Sequence, residues 1–373
     1  MQHLKSLDGL RAVAVLLVLL THFGFNLFGW FGVEAFFVLS AYLITDGLLD
    51  AKKNISPRSA MRMFFLKRAL RIFPLYFGYL ILISVGYLFF HKPQFYPQAA
   101  PLLWTFTYNL MPLNAVWHHS VFYSHFWTLA VEIQFYLIWP FVVYFCSESG
   151  LRRILCGMFL AAPLVRWILS EGLARLGYGP LAVGDASYWF TLCQMDALAG
   201  GAAAALLCRN QQKRNLGWIL TGAAVLTIIA GMINDRHSIS SGFHVPYWMT
   251  LGYPFSGTQN YQQVWSYSFA AMMLTLLVMW LVFNDGLKKK VAVFFSHPVL
   301  VWLGKRAYGI YVYHSPWLFL FGVRIGNTQP LPGVYFFWFV LYFLCVVATA
   351  QLSYRFWEEP FLNWKNKLSA QPA

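Results

Sequence analysis

Ten stretches of about twenty residues, nearly free of charge and dense in Leu, Val, Phe and Ala, run through this chain. They cover 10–28, 30–48, 72–90, 127–146, 154–170, 187–207, 215–233, 263–283, 307–323 and 334–352. About twenty residues of helix cross the hydrocarbon core of a bilayer. Lipid offers no partner to a backbone N–H or C=O, so a crossing segment must satisfy its own hydrogen bonds as a helix. The expected fold is therefore an all-α integral membrane protein with about ten transmembrane helices. Composition agrees: 59% of residues are hydrophobic and only 11% charged, against roughly 25% charged in soluble domains. A soluble enzyme, a disordered chain and a disulfide scaffold are all excluded.

The net charge of +14 would suit a nucleic-acid binder, but the basic residues sit in short runs between the apolar stretches, as in cytoplasmic loops. With the N-terminus inside, 22 of the 27 Lys and Arg fall on the cytoplasmic side. The five left over are Lys92, Arg166, Arg175, Arg236 and Arg324. That asymmetry predicts both termini cytoplasmic. Two shorter apolar segments are not expected to cross. Residues 291–303 are flanked by basic clusters on both sides, and 102–116 contain Pro112 and two Asn. The first reads as a half-helix or interfacial segment on the cytoplasmic face, the second as an interfacial or re-entrant part of an outer loop, 91–126. A second outer loop spans 234–262.

No repeat, cleaved signal peptide or fused soluble domain is expected, so residues 1–373 read as one transmembrane domain. The five cysteines (Cys146, Cys156, Cys193, Cys208 and Cys345) lie in or beside apolar stretches without metal spacing, and read as small core residues.

Ionisable groups are costly inside a bilayer, which makes each one a functional candidate. Arg11 and His22 are eleven residues apart. On a helix that is about three turns, so they share a face some ~16 Å apart, Arg11 at the cytoplasmic edge and His22 deep in the membrane. The bland alternative is a snorkelling arginine and a histidine bonded to a neighbouring helix. Glu34 and Ser40 lie on the second stretch, and Glu34 could orient a histidine, take a proton or pair with an arginine. Arg68 and Arg71, three apart on a helix, are neighbours suited to a phosphate or pyrophosphate, or serve simply as positive-inside anchors. Glu132 lies within a span and needs a partner or a task. Asp196 and His314 are further intramembrane candidates, whereas His118, His119 and His125 cluster in the outer loop with spacing poor for a metal. No metal is expected.

Six segments together resemble acyltransferase family 3 along essentially the whole chain. They are LDGLRAVAVLLVLLTH (Leu7–His22), with its Arg, ten residues, then His; GWFGVEAFFVLSAYLI (Gly29–Ile44); FLKRALRIFPLYF (Phe65–Phe77); WTLAVEIQFYLIWP (Trp127–Pro140); LGKRAYGIYVYHSP (Leu303–Pro316); and SYRFWEEPF (Ser353–Phe361). Glu34 stands where the family usually has Asp, and Ala41-Tyr42 where it has Gly-Phe. The resemblance implies transfer of an acyl group, commonly acetyl, from cytoplasmic acyl-coenzyme A to a hydroxyl of a cell-envelope glycan. It ties Arg11, Arg68 and Arg71 to the acyl-CoA donor and His22 to catalysis.

Coenzyme A would then dock its phosphates where the arginines collect, and its pantetheine arm would carry the thioester toward His22. His22 could act as general base or as a nucleophile forming an acyl-imidazole. Glu132 or Glu34 could hold its tautomer. Some relatives carry an extracytoplasmic esterase-like domain, so a separate acyl-transfer partner is a further expectation. No permanently bound cofactor is expected, and a bacterial plasma membrane is the expected location. Two rival classes remain open, a transporter and a non-catalytic scaffold of an envelope-polymer assembly complex.

Overall fold

A computed structural model describes residues 4–90, 93, 95–114, 118–209, 216–240, 245–254, 258–284, 290–325 and 332–370. Lys92, Lys213, Arg214, Lys288 and Lys289, and parts of the two outer loops, lie outside these residues. The described residues form sixteen α-helices and no strands. In order they are α1 (Lys5–Phe23), α2 (Trp30–Asn54), α3 (Pro57–Phe90), α4 (Tyr96–Trp104), α5 (Trp127–Phe145), α6 (Glu148–Arg175), α7 (Pro180–Trp189) and α8 (Met195–Arg209). Then follow α9 (Leu216–Ser240), α10 (Tyr247–Thr250), α11 (Gln262–Asn284), α12 (Lys290–Phe295), α13 (Pro298–Lys305), α14 (Ala307–Ile325), α15 (Pro332–Ser353) and α16 (Glu359–Ala370).

Among the described residues nine helical segments are long and apolar enough to cross a membrane, and they match nine of the ten expected spans. The remaining span, 307–323, coincides with the 19-residue α14. Lys5, at the start of α1, and Tyr354, just past α15, line one cleft. That closeness is what an even number of crossings between them, α14 included, would give.

Several boundaries differ from the sequence reading. The first span stops at Phe23 rather than 28, because Gly24 takes a left-handed conformation (φ 95°) and caps the helix on the carbonyls of Leu20 and Thr21. The third runs far beyond 72–90, continuing its helix back to Pro57 through the basic run. The expected span 187–207 is broken: α7 ends at Trp189, Phe190 is extended, and a tight turn, Thr191–Gln194, leads into α8. The two non-crossing segments are short helices. Residues 291–303 fall in α12 and α13, split at Ser296-His297. The outer-loop segment enters the protein, with Asn109 buried and bonded to Gln134 of α5 and to Thr191.

Burial sorts the helices into two shells. About two thirds of the apolar core of α2, α5 and α8 is buried, against 22% for α6 and α9 and 17% for the stretch containing α15. α8 sits innermost because its Ala/Gly-rich sequence lets neighbours come close; a Cβ on Gly201 would lie 2.1 Å from the Val38 carbonyl of α2. The same device locks α1 to α12–α13. A Cβ on Gly9 would lie 1.7 Å from the Phe295 carbonyl, and one on Gly304 1.8 Å from the Asp8 carbonyl.

Ion pairs tie the helix ends together. Lys52 caps the C-terminus of α5 by donating to Val143 O and Cys146 O, each at 2.8 Å. Arg209 closes α8 onto α2 through Asp46 and Asp50. Of the cysteines only Cys193 is fully buried and Cys156 is exposed; all are free thiols.

Arg166, one of the five leftover basic residues, lies inside the protein. It is completely buried, donating to Asp196 Oδ2 (2.7 Å), Ser268 Oγ (2.6 Å), Cys193 O (2.6 Å) and Val264 O (3.0 Å). This one guanidinium joins α6, α8 and α11. Arg166→Met should therefore leave Asp196 as an uncompensated buried charge and destabilise the fold by about 3–5 kcal/mol. Thermal unfolding of the purified variant in detergent checks it, and an unchanged midpoint would show the pair to be dispensable.

Candidate active site

Three arginines predicted to serve one ligand do share one cleft. Arg11 of α1 and Arg68 and Arg71 of α3 line it together with Ser40 of α2, Glu132 and Tyr136 of α5, and Tyr308 and Tyr311 of α14. The cleft holds a cavity of about 100 Å³. It adjoins a second cleft, since Arg11, Arg71 and Tyr308 line both; the second adds Asp8, Lys305, Tyr354, Glu358 and Glu359. Glu358 belongs to a π-helical turn, Tyr354–Glu358, of the kind that recurs at functional sites. Arg11 is not an isolated charge: its Nη1 donates to Asp8 Oδ1 at 2.9 Å. Arg68 has aromatic faces of Phe64 and Tyr136 within 6 Å of its guanidinium carbon.

Glu132 is held in this cleft, away from any imidazole. Ser40 Oγ donates to its Oε1 at 2.6 Å and Tyr136 hydroxyl to its Oε2 at 2.9 Å. Glu34 is completely buried, and neither of its oxygens has a hydrogen-bond partner among the described residues. Its charged neighbours are Asp196 and Arg166, so it belongs with the structural pair of α6 and α8. Neither carboxylate holds the tautomer of His22. The Val18 carbonyl does, receiving His22 Nδ1–H at 3.0 Å from one turn earlier on α1. A carbonyl only accepts, so Nδ1 carries the proton and Nε2 of the neutral ring keeps its lone pair.

His22 stands one residue from the end of α1, with an exposed side chain. The three outer-loop histidines are parted. His118 stacks on Phe95 at 4.2 Å, His119 Nε2 reaches Asp185 Oδ2 at 3.1 Å, and His125 is buried. No group of three His, Cys, Asp or Glu with metal-binding geometry occurs among the described residues.

Sequence reasoning missed what His125 does. Its ring lies 5.0 Å from that of His314, which in turn lies 4.9 Å from His22. Ser315 Oγ bridges His125 Nδ1 (3.0 Å) and His314 Nε2 (3.2 Å). The only signal in the sequence is the position of His125 two residues before Trp127, where the apolar stretch begins. Between this cluster and the arginine cleft stand Tyr311 and Thr128, whose hydroxyls are 2.9 Å apart and both bond the His125 carbonyl. Both residues line the cleft.

The described helices thus carry an arginine-lined cleft that ends at Tyr311 and Thr128, against the histidine cluster. The chain belongs to acyltransferase family 3, whose acyltransferase domain matches residues 4–355. It is 27% identical to the peptidoglycan O-acetyltransferase OatA of Listeria monocytogenes, over 98% of this chain and 60% of that protein. It is 24% identical to a putative O-acetyltransferase of Staphylococcus aureus strain MRSA252, over 100% of this chain and 60% of the relative. A putative peptidoglycan O-acetyltransferase of Bacillus subtilis, YrhL, is 27% identical over 96% of this chain and 55% of its own length. The chain thus spans somewhat over half the length of these relatives. No solved structure matches it.

The hydrogen bonds to Glu132 make a direct prediction. Ser40→Ala leaves one oxygen of a buried carboxylate without its donor, at a cost of about 1–3 kcal/mol. The variant should unfold at lower temperature, whereas Ser40→Thr, which keeps the hydroxyl, should recover most of the loss.

Proposed function

We propose that this chain transfers an acetyl group from acetyl-coenzyme A, bound at the cytoplasmic face, to a hydroxyl of an envelope carbohydrate at the outer end of α1. The observation that carries this reading is that one uninterrupted helix bears Arg11 in the cleft and His22 at its opposite end. Arginines suit the phosphates of coenzyme A because the planar guanidinium binds them through paired hydrogen bonds. The basic asymmetry of the sequence supports placing that cleft inside the cell. The names of the Listeria and Bacillus relatives support a glycan hydroxyl, with peptidoglycan the first polymer to test.

In this reading His22 Nε2 takes the proton of the attacking hydroxyl as its oxygen adds to the thioester carbonyl. The C–S bond then breaks, and the thiolate recovers the proton from the imidazolium. The same lone pair could instead attack the thioester first and pass the acetyl on from the ring. On either route the thioester must pass Tyr311 and Thr128, which close the cleft toward the histidines. Glu132, fixed by Ser40 and Tyr136, supplies negative charge that balances the arginines when no donor is bound.

Arg68→Ala and Arg71→Ala should each weaken acetyl-coenzyme A binding by about 10- to 150-fold, the loss of one charge-assisted hydrogen bond, and weaken a thioester truncated to acetyl-pantetheine far less. Equal affinity of both variants and wild type for the full donor would remove the arginines from the donor site.

His22→Ala and Arg11→Ala should fail differently. The first should bind donor normally and transfer nothing. The second should raise the apparent donor constant, with Arg11→Lys a partial rescue because lysine lacks the planar fork. Donor binding and single-turnover transfer on inserted, purified variants decide this, and near-normal turnover by His22→Ala would refute the catalytic assignment.

A further inference from the structure

His314 sits against His22 and is not itself available as a base. A tyrosine carbonyl and a serine hydroxyl occupy both of its nitrogens. Nδ1 contacts Tyr311 O, a pure acceptor, so Nδ1 is protonated. In the neutral ring Nε2 then accepts, and the donor is Ser315 Oγ–H. Ser315 has one proton, so its remaining contact must be as acceptor from His125 Nδ1–H. Every proton in the chain His125–Ser315–His314 is thereby assigned by complementarity. The chain has a blind end: a proton passed along it would stop at His314, whose other nitrogen is committed to a backbone carbonyl. Such a chain fixes geometry and conducts nothing.

The cluster is also dry, with His125, His314 and Ser315 exposed by only 6%, 0% and 4%. His22, by contrast, stands in the last turn of α1 with an exposed side chain and one hydrogen bond, to Val18. One bond leaves the ring free to rock about its Cβ. The His314 ring, 4.9 Å away and tilted 42°, provides the face that stops it.

We propose that His314 is a positioning residue for acyl transfer: locked in one neutral tautomer by Tyr311 and Ser315, its ring holds the His22 imidazole with Nε2 turned toward the reacting groups. This rests on His22 being the reacting imidazole. Misplacing a reacting group by about 1 Å costs on the order of 10²-fold in rate, so a packing partner with no chemistry of its own can govern turnover.

The test compares His314→Ala, His314→Phe, Ser315→Ala and His22→Ala. Each is the purified full chain in nanodiscs, with acetyl-coenzyme A as donor and an N-acetylglucosamine oligomer as acceptor. His314→Ala should lower kcat about 10²-fold while the donor KM stays within about twofold, since the ring orients and does not bind. His314→Phe keeps a ring of similar footprint and should recover about tenfold or more of that loss. Ser315→Ala unlocks the His314 tautomer and should lower kcat by a smaller factor at unchanged KM.

Wild-type turnover by His314→Ala overturns the proposal. So does a His314→Phe protein as inactive as the alanine variant, because the imidazole itself would then be required. Should the alanine variant fail to insert, the phenylalanine and Ser315 variants decide by the same criteria. His22→Ala separates the two levels. If it is inactive while His314→Ala is normal, only the positioning role falls; if it is active, the catalytic reading of His22 falls as well.

Discussion

Eleven residues of unbroken helix set the distance between Arg11 and His22 at about 16 Å, and most of the remaining architecture serves to keep that rod still. α1 is an inner helix, clamped at its N-terminal end by the glycine contacts with α12 and α13. At its other end the Gly24 turn stops it, and Tyr335 of α15 donates to the Phe23 carbonyl. A helix held at both ends cannot slide or tilt without breaking a backbone contact. A ligand that is anionic at one end and reactive at the other could use that fixed span as a ruler.

The polar interior follows one rule: hydrocarbon supplies no hydrogen bonds, so every intramembrane charge must find its partners within the protein. Arg166 does so by taking four acceptors at once, and Glu132 by taking two hydroxyls. Glu34, with neither oxygen bonded among the described residues, is the departure. The functional and structural charges are thereby separated in space. The arginines of α1 and α3 face a cleft with room for a ligand, whereas Arg166 is enclosed by α6, α8 and α11.

The spans were legible in the sequence because bilayer thickness acts on every one of them independently of its neighbours. Arg11, Arg68 and Arg71 were legible as a group for a related reason: each carries its charge near a span end, and three such ends on one side have a good chance of meeting. What the sequence could not show depends on tertiary geometry. The apolar run Phe23 to Phe28 looks like more of the first span until Gly24 turns left-handed. The break at Phe190 is invisible to hydropathy. The carboxylates looked suited to orient His22, but a backbone carbonyl does that job, and carbonyls leave no trace in a sequence. His125 and His314 are 189 positions apart, so only the folded bundle brings their rings together.

Tyr311 and Thr128 stand between the arginine cleft and the histidine cluster. Moving an elementary charge through the membrane potential is worth about 2.3 kcal/mol per 100 mV, and a continuous aqueous path through the bundle would short-circuit that store of energy. Two hydroxyls 2.9 Å apart that share one carbonyl would make a seal only a few hydrogen bonds thick. On the proposed reading such a seal would part for a thin, uncharged arm tipped with a thioester and close behind it, while a hydrated ion, too wide and too costly to strip of its water, would stay where it is.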